Sequence, residues 1–152
     1  MRALEAAGVT YEAATYDPTI GSAEGVADAL GVAPSDVYKT LVMARDGGEK
    51  LLVMVPGGRE VTPRVLARAI GARSVALVPK ADAERLTGLQ TGGIGALALL
   101  GRKFTVLIDR EALGREWIFV NGGRRGLNLR VPVADLILLT GATPVPTSSG
   151  AD

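Results

Sequence analysis

Runs of apolar residues separated by short polar stretches predict strands interleaved with short helices. Two apolar runs, residues 40–44 and 51–55, flank a glycine-containing polar stretch, which is typical of a hairpin. Because both runs are apolar at nearly every position, we expect both faces of this hairpin to be buried. A second hairpin is predicted from residues 116–120 and 127–131. Further strands are predicted at residues 10–16, 74–78 and 104–108.

The helices are predicted chiefly from their end signals. Ser22 is a suitable N-cap for a helix that ends at Gly31, and Thr62-Pro63 opens a helix that ends before Gly71. Further helices are predicted at residues 1–7, 81–86 and 132–141, with short helical turns beginning at residues 34 and 110.

The irregular order of these elements favours an α+β (mixed α/β) fold rather than a regular doubly wound one. We expect a mixed, curled β-sheet that approaches a barrel, with short helices around it. Residues 1–142 are predicted to form a single domain. Residues 143–152 are rich in Pro, Thr and Ser, so we expect them to form a flexible C-terminal tail.

Composition narrows the possible chemistry. The chain has 152 residues, 47% of them hydrophobic and 22% charged, which is enough to bury a core. Cysteine and histidine are both absent from the sequence. Catalysis by a thiolate or a histidine, and metal sites built from cysteine or histidine, are therefore excluded. We expect no cofactor and no metal.

Charge and hydropathy bear on partners and location. The formal net charge of +1 excludes a histone-like polycation but permits a local basic patch. The longest apolar run, residues 96–100, is too short to span a bilayer, and the N-terminus carries an acid early without a long apolar core. We therefore expect a cytoplasmic protein that does not interact with membranes. Its oligomeric state is left open.

Lys39 and Thr40 stand at the mouth of the first buried strand, which is an unusual position for a polar pair. Lys39 either closes a loop before the strand, as most such lysines do, or delivers an ammonium group to the floor of a pocket. Asp109 and Glu111 are close in sequence, but nothing else marks a paired-carboxylate site.

Two glycine-rich stretches are further candidates for binding. Residues 87–101 lack the spacing of a Walker phosphate loop, so the stretch is either a loop with positive φ angles or one whose amides approach a ligand closely. Residues 121–126 form either a hairpin turn or a binding loop. Its arginines could join others in a basic rim suited to phosphodiester contacts, formed by Arg102, Lys103, Arg124, Arg125 and Arg130.

Four stretches in a fixed order carry a resemblance to a known family: residues 37–41, 86–94, 106–109 and 120–127. In order and spacing they resemble the YbaK/EbsC group of aminoacyl-tRNA editing domains. This group includes free-standing deacylases and the insertion domain of bacterial prolyl-tRNA synthetases. The resemblance extends from about Leu4 to Gly141. It implies hydrolysis of the ester that joins a wrong amino acid to the tRNA 3′ end.

The resemblance also implies roles for individual residues. The family's lysine falls on Lys39, which would hold the terminal adenosine phosphate or the ester carbonyl through its charge. Thr40 would line the same pocket, so these two residues are the candidate catalytic pair. Without a histidine to move protons, Lys39 is better suited to be a fixed positive charge than a nucleophile.

The remaining candidates are assigned to substrate binding. The family's pocket loop falls on residues 92–96, where Ala96 replaces a proline of the family. Asn121 stands where the family commonly has serine, and Asn128 where it commonly has aspartate, so a carboxylate role at residue 128 is lost. The candidate substrate-binding residues are Tyr16, Gly92, Gly93, Ile94, Gly95, Asn121, Gly122, Gly123, Arg125 and Asn128.

The leading hypothesis is a trans-editing hydrolase that deacylates mischarged aminoacyl-tRNA, with Cys-tRNA(Pro) or Ala-tRNA(Pro) as the substrate. Its partners would be the acceptor end of tRNA and prolyl-tRNA synthetase. The alternative is a non-catalytic module that binds a tRNA acceptor end or a nucleotide and acts with a partner synthetase. A third reading is a related fold that hydrolyses a small ester unconnected with tRNA.

Overall fold

The computed structural model of the protein describes residues 2–149. The strands are β1 (Glu12–Thr15), β2 (Tyr38–Arg45), β3 (Lys50–Pro56), β4 (Val75–Leu77), β5 (Thr105–Asp109), β6 (Trp117–Asn121), β7 (Leu127–Pro132) and β8 (Thr143–Val145). The helices are α1 (Arg2–Ala6), α2 (Ala23–Leu30), α3 (Pro63–Ile70), α4 (Lys80–Thr87) and α5 (Val133–Thr140). Short 3-10 turns occupy Pro34–Asp36, Ala96–Leu99 and Arg110–Gly114.

The strands form two sheets. The larger sheet has the order β4-β2-β3-β5-β8; β2 is antiparallel to β3 and β4, whereas β3, β5 and β8 are mutually parallel. The smaller sheet has the order β1-β7-β6 and is antiparallel. Among the described residues, one isolated bridge joins Val37 before β2 to Phe119 of β6. The predicted α+β fold, a mixed and curled sheet that approaches a barrel without closing, is confirmed.

The hairpin of β2 and β3 lies between two apolar layers, as its sequence predicts. Alternate side chains of the hairpin enter opposite clusters because successive residues of a strand point to opposite faces. Val42 and Met54 pack into one cluster, and Met43 and Val53 pack into the other. All four are at most 4% exposed. The hairpin is therefore the centre of the core, and residues at its ends can be fixed rigidly.

Helix α2 begins and ends where its sequence signals place it. The Ser22 hydroxyl accepts a hydrogen bond of 3.0 Å from the Gly25 N–H, which satisfies one free donor of the first turn. Gly31 ends the helix in the left-handed conformation with φ 72°, which glycine adopts without strain. None of the helices within residues 2–149 is long and apolar enough to cross a membrane.

The C-terminal segment differs from its prediction as a flexible tail beginning at residue 143. Thr143–Val145 forms β8, which pairs in parallel with β5, and the N–H of Thr62 donates to the carbonyl of Thr147 at 2.8 Å. Thr147 is only 2% exposed. Residues 150–152 of the predicted tail lie outside the described residues.

A polar cluster with a buried carboxylate at its centre closes the carboxyl ends of the parallel strands. Asp109, at the end of β5 and 2% exposed, accepts hydrogen bonds from the Thr147 hydroxyl and, at 2.9 Å, from the Glu111 N–H. Arg59 lies 3.9 Å from the Asp109 carboxylate and 2.5 Å from that of Glu111. We call these four residues the Asp109 cluster. It fastens the C-terminal segment to the sheet.

Candidate active site

A cavity of about 240 Å³ lies where the two sheets approach each other, at the start of β2. Its walls come from β2, from the segment between β1 and α2, from the glycine-rich loop, and from β6 and β7. The candidate residues among its lining are Tyr16, Lys39, Thr40, Gly92, Ile94, Asn121 and Asn128. Positions far apart in sequence therefore converge on one concave surface, the usual form of a small-molecule site.

Lys39 lies inside β2, opposite Val55, and not in a loop before the strand. Its side chain is 30% exposed, and its ammonium nitrogen lies 4.0 Å from a carboxylate oxygen of Glu60. Because the Glu60 side chain is 96% exposed, this ion pair is held weakly. Among the described residues lining the cavity, Lys39 is the only cation. The structure therefore supports the pocket interpretation of this lysine.

Thr40 and Tyr38 lie two residues apart on β2, so their side chains share one face of the strand. Within residues 2–149, neither the buried Thr40 hydroxyl nor the Tyr38 hydroxyl has a hydrogen-bond partner. Such groups are rare in folded proteins because the lost hydration is not replaced. Burial raises the pKa of Tyr38 far above its ordinary value, and the Asp109 carboxylate raises it further. Tyr38 is therefore a neutral donor.

The Asn121 side chain joins the glycine-rich loop to the turn between β6 and β7. Its amide nitrogen donates to the carbonyl of Gly92 at 2.9 Å and to that of Arg124 at 3.2 Å. Its amide oxygen accepts from the Gly123 N–H at 2.6 Å. Asn121 thus orients the wall of the cavity that it also lines.

Two glycines of the loop are required by the close approach of another backbone. A Cβ atom at Gly95 would lie 2.5 Å from the carbonyl oxygen of Asn121, and one at Gly93 would lie 2.9 Å from the amide nitrogen of Arg125. Backbone atoms at these distances cannot be displaced cheaply. Packing against the β6–β7 turn therefore explains Gly93 and Gly95, whereas Gly88, Gly92 and Gly101 adopt positive φ angles of 73°, 88° and 79°.

The other candidate residues support the cavity from behind instead of lining it. The Arg125 guanidinium donates to the carbonyl of Thr91 at 2.7 Å. A Cβ atom at Gly122 would lie 2.7 Å from the Leu127 side chain. The candidates that lie outside the cavity lining are Gly93, Gly95, Gly122, Gly123 and Arg125. Their substrate-binding role stays a prediction.

Asn128 is 3% exposed and lies opposite Asn121 in the β6–β7 pairing. Of the described residues that line the cavity, none is an aspartate or glutamate. The polar lining is thus made of one ammonium, two amides and several hydroxyls. Within residues 2–149, no group of three or more acidic side chains is arranged to hold a metal ion.

Several arginines of the predicted basic rim make contacts within the fold instead of facing the cavity. Arg102 donates to the carbonyl of Leu86 at 2.7 Å. Arg130 bonds to Glu12 at 3.1 Å and stacks 3.9 Å above the centre of the Trp117 ring. These guanidinium groups serve the fold, as does that of Arg125.

The sequence gives no indication that residues at the start of α2 form a wall of the cavity. Ile20, Ala23 and Val26 line the cavity together with Ser22 and Thr91. The sequence marks Ser22 only as a helix cap, and the helical spacing of the apolar residues predicts packing against a core. The only local signal was this apolar face, which does not distinguish a cavity wall from a packed surface.

Comparison with known proteins places these residues in a family. Residues 17–139 match the family described as the aminoacyl-tRNA editing domain. EbsC of Enterococcus faecalis, named as a candidate Cys-tRNA(Pro)/Cys-tRNA(Cys) deacylase, is 29% identical over 119 residues, which cover 78% of this chain and 72% of EbsC. The proline–tRNA ligase of Desulfotalea psychrophila is 30% identical over 135 residues, covering 82% of this chain but only 23% of the ligase.

Solved structures agree with this placement. The hypothetical protein APE2540 superposes with a TM-score of 0.86 and 26% identity, and the match covers 96% of each chain. A candidate trans-editing enzyme for prolyl-tRNA synthetase shares the fold, with a TM-score of 0.84 and 23% identity. Because the family match spans most of the sequence and nearly all of the cavity lining, this chain belongs to the aminoacyl-tRNA editing domain family.

Proposed function

We propose that the protein is a cytoplasmic trans-editing hydrolase that deacylates mischarged aminoacyl-tRNA, with Cys-tRNA(Pro) or Ala-tRNA(Pro) as its substrate. The observation that carries the proposal is the position of Lys39, the only cation among the described lining residues, in a cavity walled by the glycine-rich loop of an editing domain. The names of EbsC and of the proline–tRNA ligases support the choice of tRNA(Pro).

Lys39 acts as a fixed charge in this proposal. Its ammonium group attracts the phosphate of the terminal adenosine or the ester carbonyl, whose oxygen gains negative charge in the transition state. Water adds to the carbonyl carbon, the bond from this carbon to the ribose oxygen breaks, and the ribose oxygen takes a proton. The free amino acid leaves as a carboxylate. A neighbouring ribose hydroxyl can orient the water, so the protein needs no histidine or carboxylate at the site.

The walls of the cavity favour a small apolar side chain on the substrate. Ile20, Ala23, Val26 and Ile94 supply its apolar surface. A pocket of this kind distinguishes side chains weakly, since one methylene is worth about 1–3 kcal/mol. Cysteine and alanine are both accommodated. Ala96, in place of the family's proline, is 4% exposed and stands behind the loop, so its effect on selectivity is indirect.

The acceptor end of tRNA is the partner that the proposal requires, and prolyl-tRNA synthetase is the second. A separate editing protein must meet mischarged tRNA before it is used in translation. Recognition of tRNA(Pro) therefore comes either from this chain or from the synthetase that made the error. Adding the synthetase to the assay distinguishes these two routes.

The test is a deacylation assay on a panel of mischarged tRNAs, with cysteinyl- and alanyl-tRNA(Pro) first. We expect the Lys39→Ala variant to lose about 100-fold or more in kcat/KM, the scale of losing one electrostatic group at an ester-cleaving site. Lys50→Ala is the matched control, because Lys50 lies at the opposite end of the same hairpin. Full activity of Lys39→Ala, with an unchanged melting temperature, contradicts the proposal.

A second candidate function is a non-catalytic module that binds the acceptor end of tRNA for a partner synthetase. One observation favours it: the described residues that line the cavity include no acidic side chain, and the sequence has no histidine. Such a module would bind charged tRNA with no turnover of any ester in the panel. Hydrolysis of small esters alone would instead indicate an editing fold reused for another substrate.

A further inference from the structure

Helix α3 carries arginines on its exposed side. Arg64 and Arg68 are four residues apart, so their side chains lie on one face of the helix. Arg73 follows the helix, and together the three line a groove between α3 and β4. All three are exposed, and none forms an ion pair with an acidic side chain of residues 2–149. We call these three residues the arginine row.

The positive charge of the arginine row is not balanced locally. Residues 61–81 contain no aspartate or glutamate, and the described residues that line the groove include none either. The Asp46 carboxylate accepts a hydrogen bond of 2.9 Å from the backbone N–H of Arg73 and lies 3.7 Å from the Arg45 guanidinium. Because the net charge of the whole chain is only +1, the row is a local concentration of charge.

The stability of α3 does not explain the arginine row. Arg64 lies in the first turn of the helix, which has no acidic residue, and the helix dipole disfavours a cation there. Arg68 is placed favourably in the last turn, but two like charges four residues apart on a helix repel each other. The row therefore costs some stability, and the binding of an anion accounts for it better than folding does.

Helix α3 covers the face of β2 from which the Lys39 side chain projects. Leu66 of α3 packs into the same apolar cluster as Met43 of β2. Lys39 and Met43 are four residues apart on the strand, so their side chains share a face. A ligand that reaches the Lys39 ammonium from this side therefore passes close to α3.

The arginine row leads away from the cavity along β2. Helix α3 begins three residues after Glu60, whose carboxylate lies 4.0 Å from the Lys39 ammonium. It ends near the far end of β2, where the Arg45 guanidinium donates to the carbonyl of Gly71 at 3.4 Å. Six residues of strand, about 20 Å, separate Lys39 from Arg45. The row thus extends from the cavity toward the β2–β3 turn.

We propose that the arginine row binds the phosphodiester backbone of the tRNA acceptor arm while the aminoacylated 3′ end occupies the cavity. This inference rests on the proposed deacylase function. Guanidinium groups suit phosphates because they donate two parallel hydrogen bonds to them. Contacts to phosphates fix the position of a nucleic acid without reading its sequence. The row therefore supplies affinity for tRNA, and the cavity selects the amino acid.

A nucleic acid fits the arginine row better than an anionic membrane does. Binding at a membrane surface needs bulky apolar side chains beside the cations. The apolar residues described in the groove are instead small or buried: Pro63, Ala67, Ala72 and Val75, of which Ala67 and Val75 are 6% and 7% exposed. The continuity of the row with the Lys39 end of β2 also favours the tRNA over an acidic protein.

The test is the triple variant Arg64→Gln/Arg68→Gln/Arg73→Gln, which removes the charges and keeps side chains of helix-forming residues. The readout is the Kd for uncharged tRNA(Pro), measured by filter binding over a range of salt concentrations. We expect Kd to rise at least about tenfold, and the slope of log affinity against log salt to become shallower by about 2. We expect kcat for alanyl-tRNA(Pro) at saturation to be unchanged. The melting temperature should be unchanged or higher, because the repulsion within the row is removed.

Arg2→Gln is the matched control. Arg2 is an exposed arginine of α1, a helix whose Leu4 packs into the apolar cluster on the other side of the central hairpin. Removing its charge changes the net charge of the chain but leaves the arginine row intact. We expect its Kd and its salt dependence to match those of the wild type.

Three results overturn the inference. The first is an unchanged Kd and salt dependence in the triple variant. The second is a lower kcat at saturation with tRNA binding unchanged. The third is the loss of binding to phosphatidylglycerol vesicles or to prolyl-tRNA synthetase while tRNA affinity stays the same, which assigns the row to another partner. Because Kd is measured with uncharged tRNA, a wild-type protein that binds tRNA but hydrolyses no ester overturns the deacylase function alone.

Discussion

The cavity at the start of β2 and the Asp109 cluster are both polar and lie at the same end of the larger sheet, where β3 and β5 end, but their hydrogen bonding differs. In the Asp109 cluster the carboxylate accepts from Thr147 and from the Glu111 N–H, with Arg59 beside it. In the cavity the Thr40 hydroxyl has no partner within the described residues, and Lys39 has only a weak one.

This difference separates polar groups that hold the fold from buried polar groups that lack a partner among residues 2–149. A buried group with its partners in place stabilises the native state, whereas one without partners destabilises it. Groups of the second kind are rare in native proteins and point to a catalytic role or to a bound water or ion. Mutations in the two regions should therefore affect different properties. Those in the Asp109 cluster should lower the free energy of unfolding, and those at the cavity should lower the rate of turnover.

Among the substitutions that compare the two regions, the largest effect on activity is expected from a pair of glycines, one in each region. Gly95→Ala places a Cβ atom 2.5 Å from the Asn121 carbonyl, so the cavity wall must move. We expect at least a tenfold loss of kcat/KM, with about 1–3 kcal/mol of destabilisation from overpacking. Gly114→Ala, in the turn after Asp109, meets no atom within 4 Å and is the control. Deacylation assays and chemical denaturation measure both.

Equal loss of activity in the Gly95 and Gly114 variants would show that the loop position is unimportant. A Gly95→Ala variant that folds and retains wild-type turnover would show the same. In either case, the glycine-rich stretch would be a connection without a role in positioning the substrate.

A pair of threonine substitutions should differ clearly in their effect on stability. Thr147→Val removes a donor to the buried Asp109 carboxylate, so we expect about 1–3 kcal/mol of destabilisation. Thr40→Val removes a buried hydroxyl that has no partner among residues 2–149, so we expect a change within about 0.5 kcal/mol, or slight stabilisation. Urea denaturation provides the comparison. A larger cost at Thr40 than at Thr147 would mean that the two regions have been assigned the wrong roles.

The smallest effect concerns pH and the glycine-rich loop. The Thr91 N–H donates to the Glu84 carboxylate at 2.7 Å and lowers the pKa of Glu84 below its ordinary value of 4.5. A lowered pKa means that this contact contributes stability above pH 4.5 and that the contribution is lost as pH falls through the folded-state pKa. An NMR titration should give Glu84 a midpoint below 4.5, with the Thr91 amide following it. A midpoint at or above 4.5 contradicts the contact.

Much of the fold could be predicted because its signals are local. Ser22 and Gly31 define α2, and the two apolar runs define the central hairpin. Strand β8 could not be predicted, since Pro144 within it and Pro146 after it suppress the strand signal. Proline is tolerated there because β8 is an edge strand, and only the assembled sheet determines which strand lies at the edge.

The site was predictable to the extent that a family pattern marked its residues. Lys39 and Thr40 were identified by resemblance, while composition alone only removed competing chemistries. Val26 was missed because its apolar character on α2 predicts core packing. Arg125 is charged in a turn, which suggests a ligand contact, but its bond to the Thr91 carbonyl depends on a neighbour 34 residues away. Contacts of this kind follow from tertiary structure.

The late position of β7 and β8 in the chain has a consequence for biosynthesis. Strand β1 must wait for β7 to be synthesised before the smaller sheet can form, and β5 must wait for β8. Long-range pairings of this kind slow folding because a large loop is closed before its contacts stabilise it. The cavity includes Asn128, so the nascent chain acquires a complete site only after that residue has left the ribosome. The site is therefore complete only after most of this domain has been synthesised.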